Sequence, residues 1–296
     1  MADTYRDGDG AGDDRAYGGG STDPSGSADP SDDDGSRTSR PWRTTSDKPE
    51  KKKGSLLRET IIIVACVLLI SWILQTFIGR QYVIPSESME PTLIGCTGCS
   101  NDRIFVDKLS YTFGDPKPGD VVVFKVPDSW GEDGWVSPRS SNPVVHHLQD
   151  ALSWFGFAPP DENDYVKRII AVGGQTIECR NSEGVGVKVN GKALKEPYVN
   201  MALQQQNLAN GTATPSAIGD DGKLNSCLGK DFGPIIVPKN SVFVMGDNRT
   251  RSSDSRYHIT ASSDGTVPVD DIRGKTQFII YPFSRMGGVG SVDPQQ

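Results

Sequence analysis

The amino-acid sequence predicts an all-β domain preceded by one N-terminal transmembrane helix and a disordered tail. Three observations lead to this fold class. One stretch of the chain is almost wholly apolar, the residues after it form short β-branched runs between Gly, Pro, Asn and Asp, and the residues before it have few branched apolar side chains. With 296 residues, the chain has room for one sizeable domain besides these segments.

Residues 1–53 are predicted to form a disordered acidic tail on the cytoplasmic side. Asp, Gly, Ser, Thr and Pro dominate this segment, so it cannot bury enough apolar surface to offset the entropy of ordering. The whole chain has a net charge of -7, and no basic stripe stands out beyond Lys51, Lys52 and Lys53. A nucleic-acid partner is therefore not expected.

Residues 58–79 are predicted to cross the membrane as a helix. The run TIIIVACVLLISWILQTFI at 60–78 is long enough, at about 1.5 Å per residue, to span ~30 Å of hydrocarbon. A buried core helix and a cleaved signal peptide are the alternatives, but the run is longer than a signal h-region and no small-residue cleavage site follows it. Because Lys51–Lys53 and Arg58 flank its N-terminal side, a single-pass type II protein in a bacterial cell membrane is expected.

Residues 80–296 are predicted to form a β-rich domain outside the cytoplasm. Its strand-like runs are 103–108, 120–126, 165–172, 175–179, 186–189, 235–237, 241–245 and 275–281. Two excursions interrupt them, at 128–163 and 200–233. The first contains a candidate short helix at 144–155, and the second, rich in Gln, Asn, Gly and Ala, is expected to lie on the surface.

Four of the five cysteines fall in the exterior domain, where disulfides can form. Cys66 lies inside the predicted span. Of the three connectivities, the preferred one joins Cys96 to Cys99 and Cys179 to Cys227. Zinc is the alternative for the CTGC run, but no second Cys or His pair completes a site. No metal or organic cofactor is expected.

Ser88 is the candidate nucleophile. It lies in the run IPSESMEPTL at 84–93, a few residues beyond the predicted span. A serine hydroxyl is a weak nucleophile and needs an adjacent base. In a Ser-His-Asp arrangement histidine is the base, but the three histidines have no flanking pattern that marks one of them as a base (His146, His147 and His258).

Lys167 is the alternative base. In DYVKRIIAV, strand alternation places it with Tyr165 and Ile169 on one face. Burial among apolar neighbours lowers the pKa of an ammonium group and can leave a neutral amine that accepts a proton. The structural alternative is a strand-edge lysine with its charge in water.

A third polar cluster follows a strand at 242–256, VFVMGDNRTRSSDSR. Its acidic, basic and hydroxyl side chains can form a buried, charge-paired platform, although a solvated loop is the ordinary interpretation of such a run.

These clusters, in this order behind a span, resemble the bacterial type I signal peptidases, or leader peptidases. The family's serine-methionine-x-proline-threonine motif matches residues 88–92, its tyrosine-aliphatic-lysine-arginine motif matches 165–168, and its glycine-aspartate-asparagine-arginine box with the later serine-x-aspartate-serine-arginine matches 246–256. A glycine-aspartate strand matches 119–124, and the resemblance covers about residues 58–282. It implies an all-β catalytic domain of coiled antiparallel sheets.

The resemblance also implies a role for each matched residue. Ser88 would attack the scissile carbonyl and Lys167 would be the general base. The Ser88 N–H and the Ser86 hydroxyl would stabilise the oxyanion. Ser252 would hydrogen-bond the lysine, supported by a salt-bridged shell. That shell comprises Asp247, Asp254 and Arg256, and the substrate pockets would be lined by Ile84, Leu93, Tyr165 and Val166.

The expected activity is therefore that of a membrane-bound serine endopeptidase of the Ser-Lys type. Its partners would be the lipid bilayer and secretory pre-proteins emerging from the translocation machinery, cleaved after small residues of the A-x-A type. Two alternatives stay open. One is another Ser-Lys hydrolase, similar to the self-cleaving repressor proteases, and the other is a non-enzymatic, membrane-anchored β module.

Overall fold

The computed structural model describes residues 53–131, 139–154 and 163–296. Helix α1 (Lys53–Ile73) continues through a five-residue π-helical turn, Leu74–Ile78. The most apolar 18-residue stretch within Leu56–Ile78 has a mean hydropathy of 2.7, and none of that stretch is buried against the rest of the described chain. Apart from Lys53, the predicted tail at 1–53 lies outside the described residues.

The helical segment ends one residue before the predicted boundary, because Gly79 begins a strand. A Cβ atom at Gly79 would lie 2.7 Å from the Phe105 ring, so only glycine fits this close approach. The Lys108 amine donates hydrogen bonds to the carbonyl oxygens of Gln75 at 3.1 Å and Thr76 at 3.3 Å, and its backbone N–H donates to Ile78 O. These bonds pair C-terminal carbonyls of the helix and dock its end on the β-domain.

The described part of the β-domain is built from short strands. In chain order these are β1 (Gly79–Val83), β2 (Arg103–Asp107), β3 (Val121–Lys125), β4 (Asp164–Val172), β5 (Thr176–Cys179), β6 (Val187–Val189), β7 (Lys192–Ala193), β8 (Phe232–Ile236), β9 (Ser241–Met245), β10 (Ile259–Thr260), β11 (Ser263–Asp264), β12 (Val267–Pro268), β13 (Ile272–Tyr281) and β14 (Gly287–Gly288). Three short helices accompany them: α2 (Leu109–Thr112), α3 (Pro143–Trp154) and α4 (Met201–Ala209).

All strand pairings between these elements are antiparallel. The large sheet has the order β1-β2-β13-β3-β4-β9-β12, with β14 paired to β13. A second sheet has the order β7-β6-β5-β8, and β10 pairs with β11. The predicted all-β fold with one apolar N-terminal helix is therefore confirmed.

Alternation along the strands distributes apolar side chains between separate core clusters. Val121 and Val123 of β3 pack with the segment that carries Ser88, whereas Val122 and Phe124 pack in a second cluster with Ile169 of β4. A third cluster lies where β4 and β9 meet the second sheet. Strand β4 therefore contributes side chains to all three clusters, and this packing fixes its position.

The two predicted excursions contain more order than the sequence indicates. In the first, α3 spans nearly the predicted range, although residues 132–138 and 155–162 lie outside the described residues. The second was expected to be a surface segment, but it begins with α4, whose Gln204 and Asn207 side chains are buried. Buried amides usually find hydrogen-bond partners, and Asn207 and the Oε1 atom of Gln204 find theirs next to the candidate site, whereas Gln204 Nε2 has none among the described residues.

Candidate active site

Ser88 and Lys167 meet in the structure although they lie far apart in the sequence. Ser88 occupies the short 3₁₀ turn Glu87–Met89, and Lys167 lies on β4. The Lys167 Nζ atom is 2.8 Å from Ser88 Oγ, and both side chains are buried. The Ser86 Oγ atom lies 3.2 Å from the same hydroxyl oxygen. This geometry allows a lysine amine to act directly on a serine hydroxyl.

The turn that carries Ser88 is anchored by apolar side chains on either side of it. Ile84, Met89 and Leu93 are almost fully buried in one core cluster. The Leu93 N–H donates to Met89 O at 3.0 Å, which closes the turn after the serine. Because its neighbours are fixed in the core, the Ser88 hydroxyl has a defined direction toward Lys167.

Burial lowers the pKa of the Lys167 amine from 10.5 to about 8. Loss of hydration disfavours the ammonium form, and the nearby Arg256 guanidinium acts in the same direction. The carboxylates of Asp254 and Asp247 oppose the shift without cancelling it. The amine also lies 5.3 Å from the centroid of the Tyr165 ring. A substantial fraction of this lysine is therefore neutral slightly above neutral pH.

Asp254 and Arg256 form a fully buried ion pair beside the lysine. The Arg256 Nε and Nη2 atoms donate to the two carboxylate oxygens of Asp254, each at 2.9 Å. Burial alone would raise the pKa of Asp254, but the Arg256 guanidinium holds it below its ordinary value. The pair therefore stays charged, and both of its oxygens are fixed in place.

The Ser252 hydroxyl has a different partner from the expected one. It donates to Asp254 Oδ2 at 2.8 Å, where a hydrogen bond to Lys167 was expected. A carboxylate is a strong acceptor for a hydroxyl proton, and the Lys167 amine is directed to Ser88 instead. Ser252 still lies in the site, close to Ser88. Both residues contact Gly246, where an added Cβ atom would collide with the Ser252 side chain and with Ser88 O. Only glycine leaves room for both.

Asp247 pairs with Arg168, the residue after the lysine. Arg168 Nε donates to Asp247 Oδ1 at 2.8 Å, and Nη2 donates to Oδ2 at 2.7 Å. The Thr92 hydroxyl donates to the same carboxylate at 2.5 Å. Asp247 therefore connects β4 to the segment after Ser88. The functions of Arg168 and Thr92 in this connection were not predicted from the sequence.

Asn248 also contacts the nucleophile turn, and its role was missed in the sequence. Its backbone N–H donates to Ser88 O at 3.1 Å, and its Nδ2 atom donates to Glu87 O at 3.0 Å. Asn248 stands next to Asp247 in the matched motif at 246–256, and this position was the only feature of the sequence that could have indicated a role in the site.

The predicted pocket residues divide into two groups. Ile84 and Leu93 belong to the core cluster around the turn, and Val166 packs against it. Tyr165 packs instead against the cluster that contains Phe124 and Trp130. Its ring meets those two side chains edge-on, at centroid distances of 6.4 and 6.3 Å. The turn therefore gathers three of the four residues.

The histidine alternative has no comparable geometry in the described part of the chain. The His258 ring stacks on Trp130 at 4.1 Å and shares a hydrogen bond with the Ser253 hydroxyl. His146 and His147 lie on α3. The Ser88 hydroxyl has its contacts with Lys167 and Ser86 instead.

The four cysteines of the β-domain form two disulfides in the structure. Cys96 is joined to Cys99, and Cys179 at the end of β5 is joined to Cys227. The second bridge lies in the core cluster between the two larger sheets and ties the second excursion to the sheet. Cys66 is a free thiol on α1.

Comparison with known proteins identifies a family that spans most of the chain. The model of the family described as signal peptidase, peptidase S26, matches residues 57–281. A signal peptidase I of Mycobacterium tuberculosis is 49% identical over 84% of this chain and 81% of its own length. A probable signal peptidase I of Mycobacterium leprae is 48% identical over 83% of this chain and 84% of its own length.

More distant relatives carry the same name. Signal peptidase I P of Bacillus subtilis subsp. natto is 31% identical over 82% of this chain and 97% of its own length. A crystal structure of a signal peptidase I from Enterococcus faecalis matches with a TM-score of 0.29 and 23% identity, covering 55% of this chain and 97% of that one. On the family model and the mycobacterial relatives, the chain belongs to the signal peptidase family, peptidase S26, and is a hydrolase of the serine-peptidase type.

Proposed function

We propose that this protein removes N-terminal signal peptides from exported precursors, using Ser88 as the nucleophile and Lys167 as the general base. The single observation that carries the proposal is the 2.8 Å contact between Lys167 Nζ and Ser88 Oγ in a buried site. Family membership supports the substrate class, since the relatives are named signal peptidases.

In the acylation step, the neutral Lys167 amine accepts the proton of Ser88 Oγ as this oxygen attacks the scissile carbonyl carbon. The tetrahedral intermediate then collapses, the peptide C–N bond breaks, and the Lys167 ammonium returns the proton to the leaving amine. In deacylation the amine removes a proton from water as the water oxygen attacks the ester carbon, the C–Oγ bond breaks, and the Lys167 ammonium returns the proton to Ser88 Oγ. The Ser88 N–H and the Ser86 hydroxyl would donate to the oxyanion in both steps.

The depressed pKa of Lys167 supports this role. With a pKa of about 8, about a quarter of the amine is neutral near pH 7.5, compared with about one part in a thousand for an ordinary lysine. The positive charge of Arg256 and the negative charge of Asp254 offset each other beside the amine. Lys167 is thus suited to serve as a base and then as an acid near neutral pH.

The proposed cleavage site follows small residues of the A-x-A type, as secretory signals end in such residues. The apolar side chains of Ile84, Leu93 and Val166 pack around the turn that carries Ser88, and apolar surroundings of this kind suit small apolar substrate side chains. Strand β1 lies at the edge of the large sheet and leads directly to Ile84. An extended peptide could therefore add to this region through backbone hydrogen bonds.

We further propose that α1 anchors the protein in the bacterial cell membrane as a single-pass type II protein. The apolar segment Leu56–Ile78 is long enough to span the hydrocarbon, and the basic residues Lys51–Lys53 and Arg58 favour a cytoplasmic N-terminus. The β-domain would then meet secretory pre-proteins as they emerge from the translocation machinery. Anchoring would raise the local concentration of enzyme and precursor at the same surface.

The test is cleavage of a purified precursor by the full-length protein in detergent micelles. Ser88→Ala and Lys167→Met should each abolish cleavage, whereas Lys192→Met, at an exposed position on β7, should cleave normally. Cleavage that persists in either site variant would refute the Ser-Lys mechanism. An active wild type that cleaves its own chain but no precursor would favour a repressor-like hydrolase, and an inactive wild type would favour a non-enzymatic module.

A further inference from the structure

We propose that Asn248 positions the backbone N–H of Ser88 for oxyanion binding, and that Asn207 on α4 fixes the orientation of Asn248. This inference rests on the proposed function. It assigns the second excursion of the chain a part in the reaction, although α4 does not reach the reacting atoms themselves.

The peptide group between Glu87 and Ser88 carries the N–H that would bind the oxyanion. The Asn248 Nδ2 atom donates to the Glu87 carbonyl oxygen at 3.0 Å. That carbonyl and the Ser88 N–H belong to one planar trans peptide, so they point in opposite directions. Holding the Glu87 oxygen therefore also sets the direction of the Ser88 N–H.

The peptide group on the other side of Ser88 is also held by Asn248. The backbone N–H of Asn248 donates to Ser88 O at 3.1 Å. One residue thus holds both peptide groups that flank the Ser88 Cα atom, and the two backbone dihedral angles of Ser88 cannot change without loss of a hydrogen bond. The serine N–H and hydroxyl are held in one fixed relation.

The orientation of the Asn248 side chain depends on Asn207. A carboxamide has two ends of nearly equal shape, and only the nitrogen end can donate to Glu87 O. Asn207 Nδ2 donates to Asn248 Oδ1 at 2.8 Å, which selects the orientation in which Nδ2 faces Glu87. Asn248 is 0% exposed and Asn207 is 5% exposed, so bulk water cannot replace these contacts.

Helix α4 is also docked through Thr250, whose hydroxyl oxygen accepts a hydrogen bond from Asn207 Nδ2 at 3.0 Å. Gln204 Oε1 accepts hydrogen bonds from the Thr250 N–H at 3.0 Å and the Thr250 hydroxyl at 2.8 Å. Gln204 is as deeply buried as Asn207, but its hydrogen bonds go to Thr250 and not to Asn248. A change at Gln204 therefore weakens the docking of α4 without removing the hydrogen bond that orients Asn248, which makes it a matched control.

The consequence is specific to the transition state. An oxyanion donor acts on charge that is absent from the bound substrate, so misalignment of the Ser88 N–H lowers kcat and leaves KM nearly unchanged. The charges around Lys167 are not altered, so the pH at which kcat reaches half of its maximum should stay the same.

The experiment measures precursor cleavage by the full-length protein in detergent micelles, after thermal unfolding has confirmed that each variant is folded. Asn248→Leu should lower kcat by about 100-fold and Asn207→Leu by about 10-fold. Gln204→Met should lower the unfolding temperature but keep kcat within about twofold of the wild type. A peptide boronate, which forms a tetrahedral adduct with serine, should lose affinity by the same factor as kcat.

Three results would overturn the inference: a normal kcat in both leucine variants, an equal fall of kcat in Gln204→Met, or a shift of the pH midpoint that traces the loss to Lys167. If Asn248→Leu does not fold, Asn207→Leu alone decides. The proposed function fails separately, since it would be refuted by cleavage in Ser88→Ala or Lys167→Met. Loss of cleavage in those two variants together with full activity in the asparagine variants would refute only this inference.

Discussion

Replacing Lys167 with methionine should stabilise the folded domain near neutral pH even though it abolishes proteolysis. The amine has a pKa of about 8 in the folded protein, whereas its ordinary value is 10.5. The unfolded chain therefore binds this proton more tightly, and the folded state loses stability as the pH falls from 10.5 to 8. A difference of one pKa unit corresponds to about 1.4 kcal/mol, so the full loss below pH 8 is about 3 kcal/mol.

Methionine has a side chain of similar length that never takes up a proton. Lys167→Met should therefore be more stable than the wild type by about 3 kcal/mol near pH 7, and the advantage should disappear above pH 10.5. Urea denaturation of the two full-length proteins in detergent, repeated across this pH range, measures the difference directly. Other groups that titrate in the same range are common to both proteins and cancel.

Lys192→Met serves as the control, because this exposed lysine on β7 should give no pH-dependent difference. Two outcomes would refute the reasoning. One is a stability difference for Lys167→Met that is constant between pH 7 and pH 11, and the other is destabilisation at pH 7. A constant difference would mean that the amine keeps its ordinary affinity for protons, and destabilisation at pH 7 would mean that its hydrogen bond to Ser88 outweighs the cost of its burial.

Three further predictions concern the site. The kcat of the wild type should rise with pH through about 8, as the Lys167 ammonium loses its proton, and a profile flat from pH 6 to pH 9 would contradict its role as the base. Gly246→Ala should abolish precursor cleavage, because its Cβ atom would lie within 2.5 Å of Ser88 O and still closer to the Ser252 hydroxyl; normal turnover would show that the site can widen. Arg256→Met should destabilise the domain by about 3–5 kcal/mol in urea denaturation, because it leaves the Asp254 carboxylate buried without its partner, and a loss below about 1 kcal/mol would contradict a tightly packed ion pair.

The sequence was most informative where a local pattern has one physical interpretation. The apolar helix was predicted to within one residue at its C-terminal end, because a run of this length has few other solutions. Strand β4 was predicted from β-branched residues around Lys167, and β9 from the run before Gly246. These predictions depend on the pattern of adjacent residues and not on contacts between distant parts of the chain.

Contacts between distant segments could not be predicted in the same way. The sequence placed no constraint on the distance between Ser88 and Lys167, which only the pairing of the strands brings to 2.8 Å. Helix α4 was missed because Gln and Asn in a short polar run usually face solvent, and their burial depends on partners more than forty residues away. The Ser252 hydrogen bond to Asp254 was not predicted, because the sequence does not show which side chains the fold brings within reach of this hydroxyl.

The helical segment that begins with α1 passes directly into β1, with no linker between the proposed membrane anchor and the domain that carries the active site. Gly79 packs directly on Phe105, and the Lys108 amine closes the end of the helix. If α1 crosses the bilayer as proposed, the active-site serine is held at a fixed distance from the membrane surface. A bond presented nearer to or farther from the membrane would then be spared even if its residues were ideal, so depth would act as a second criterion beside sequence.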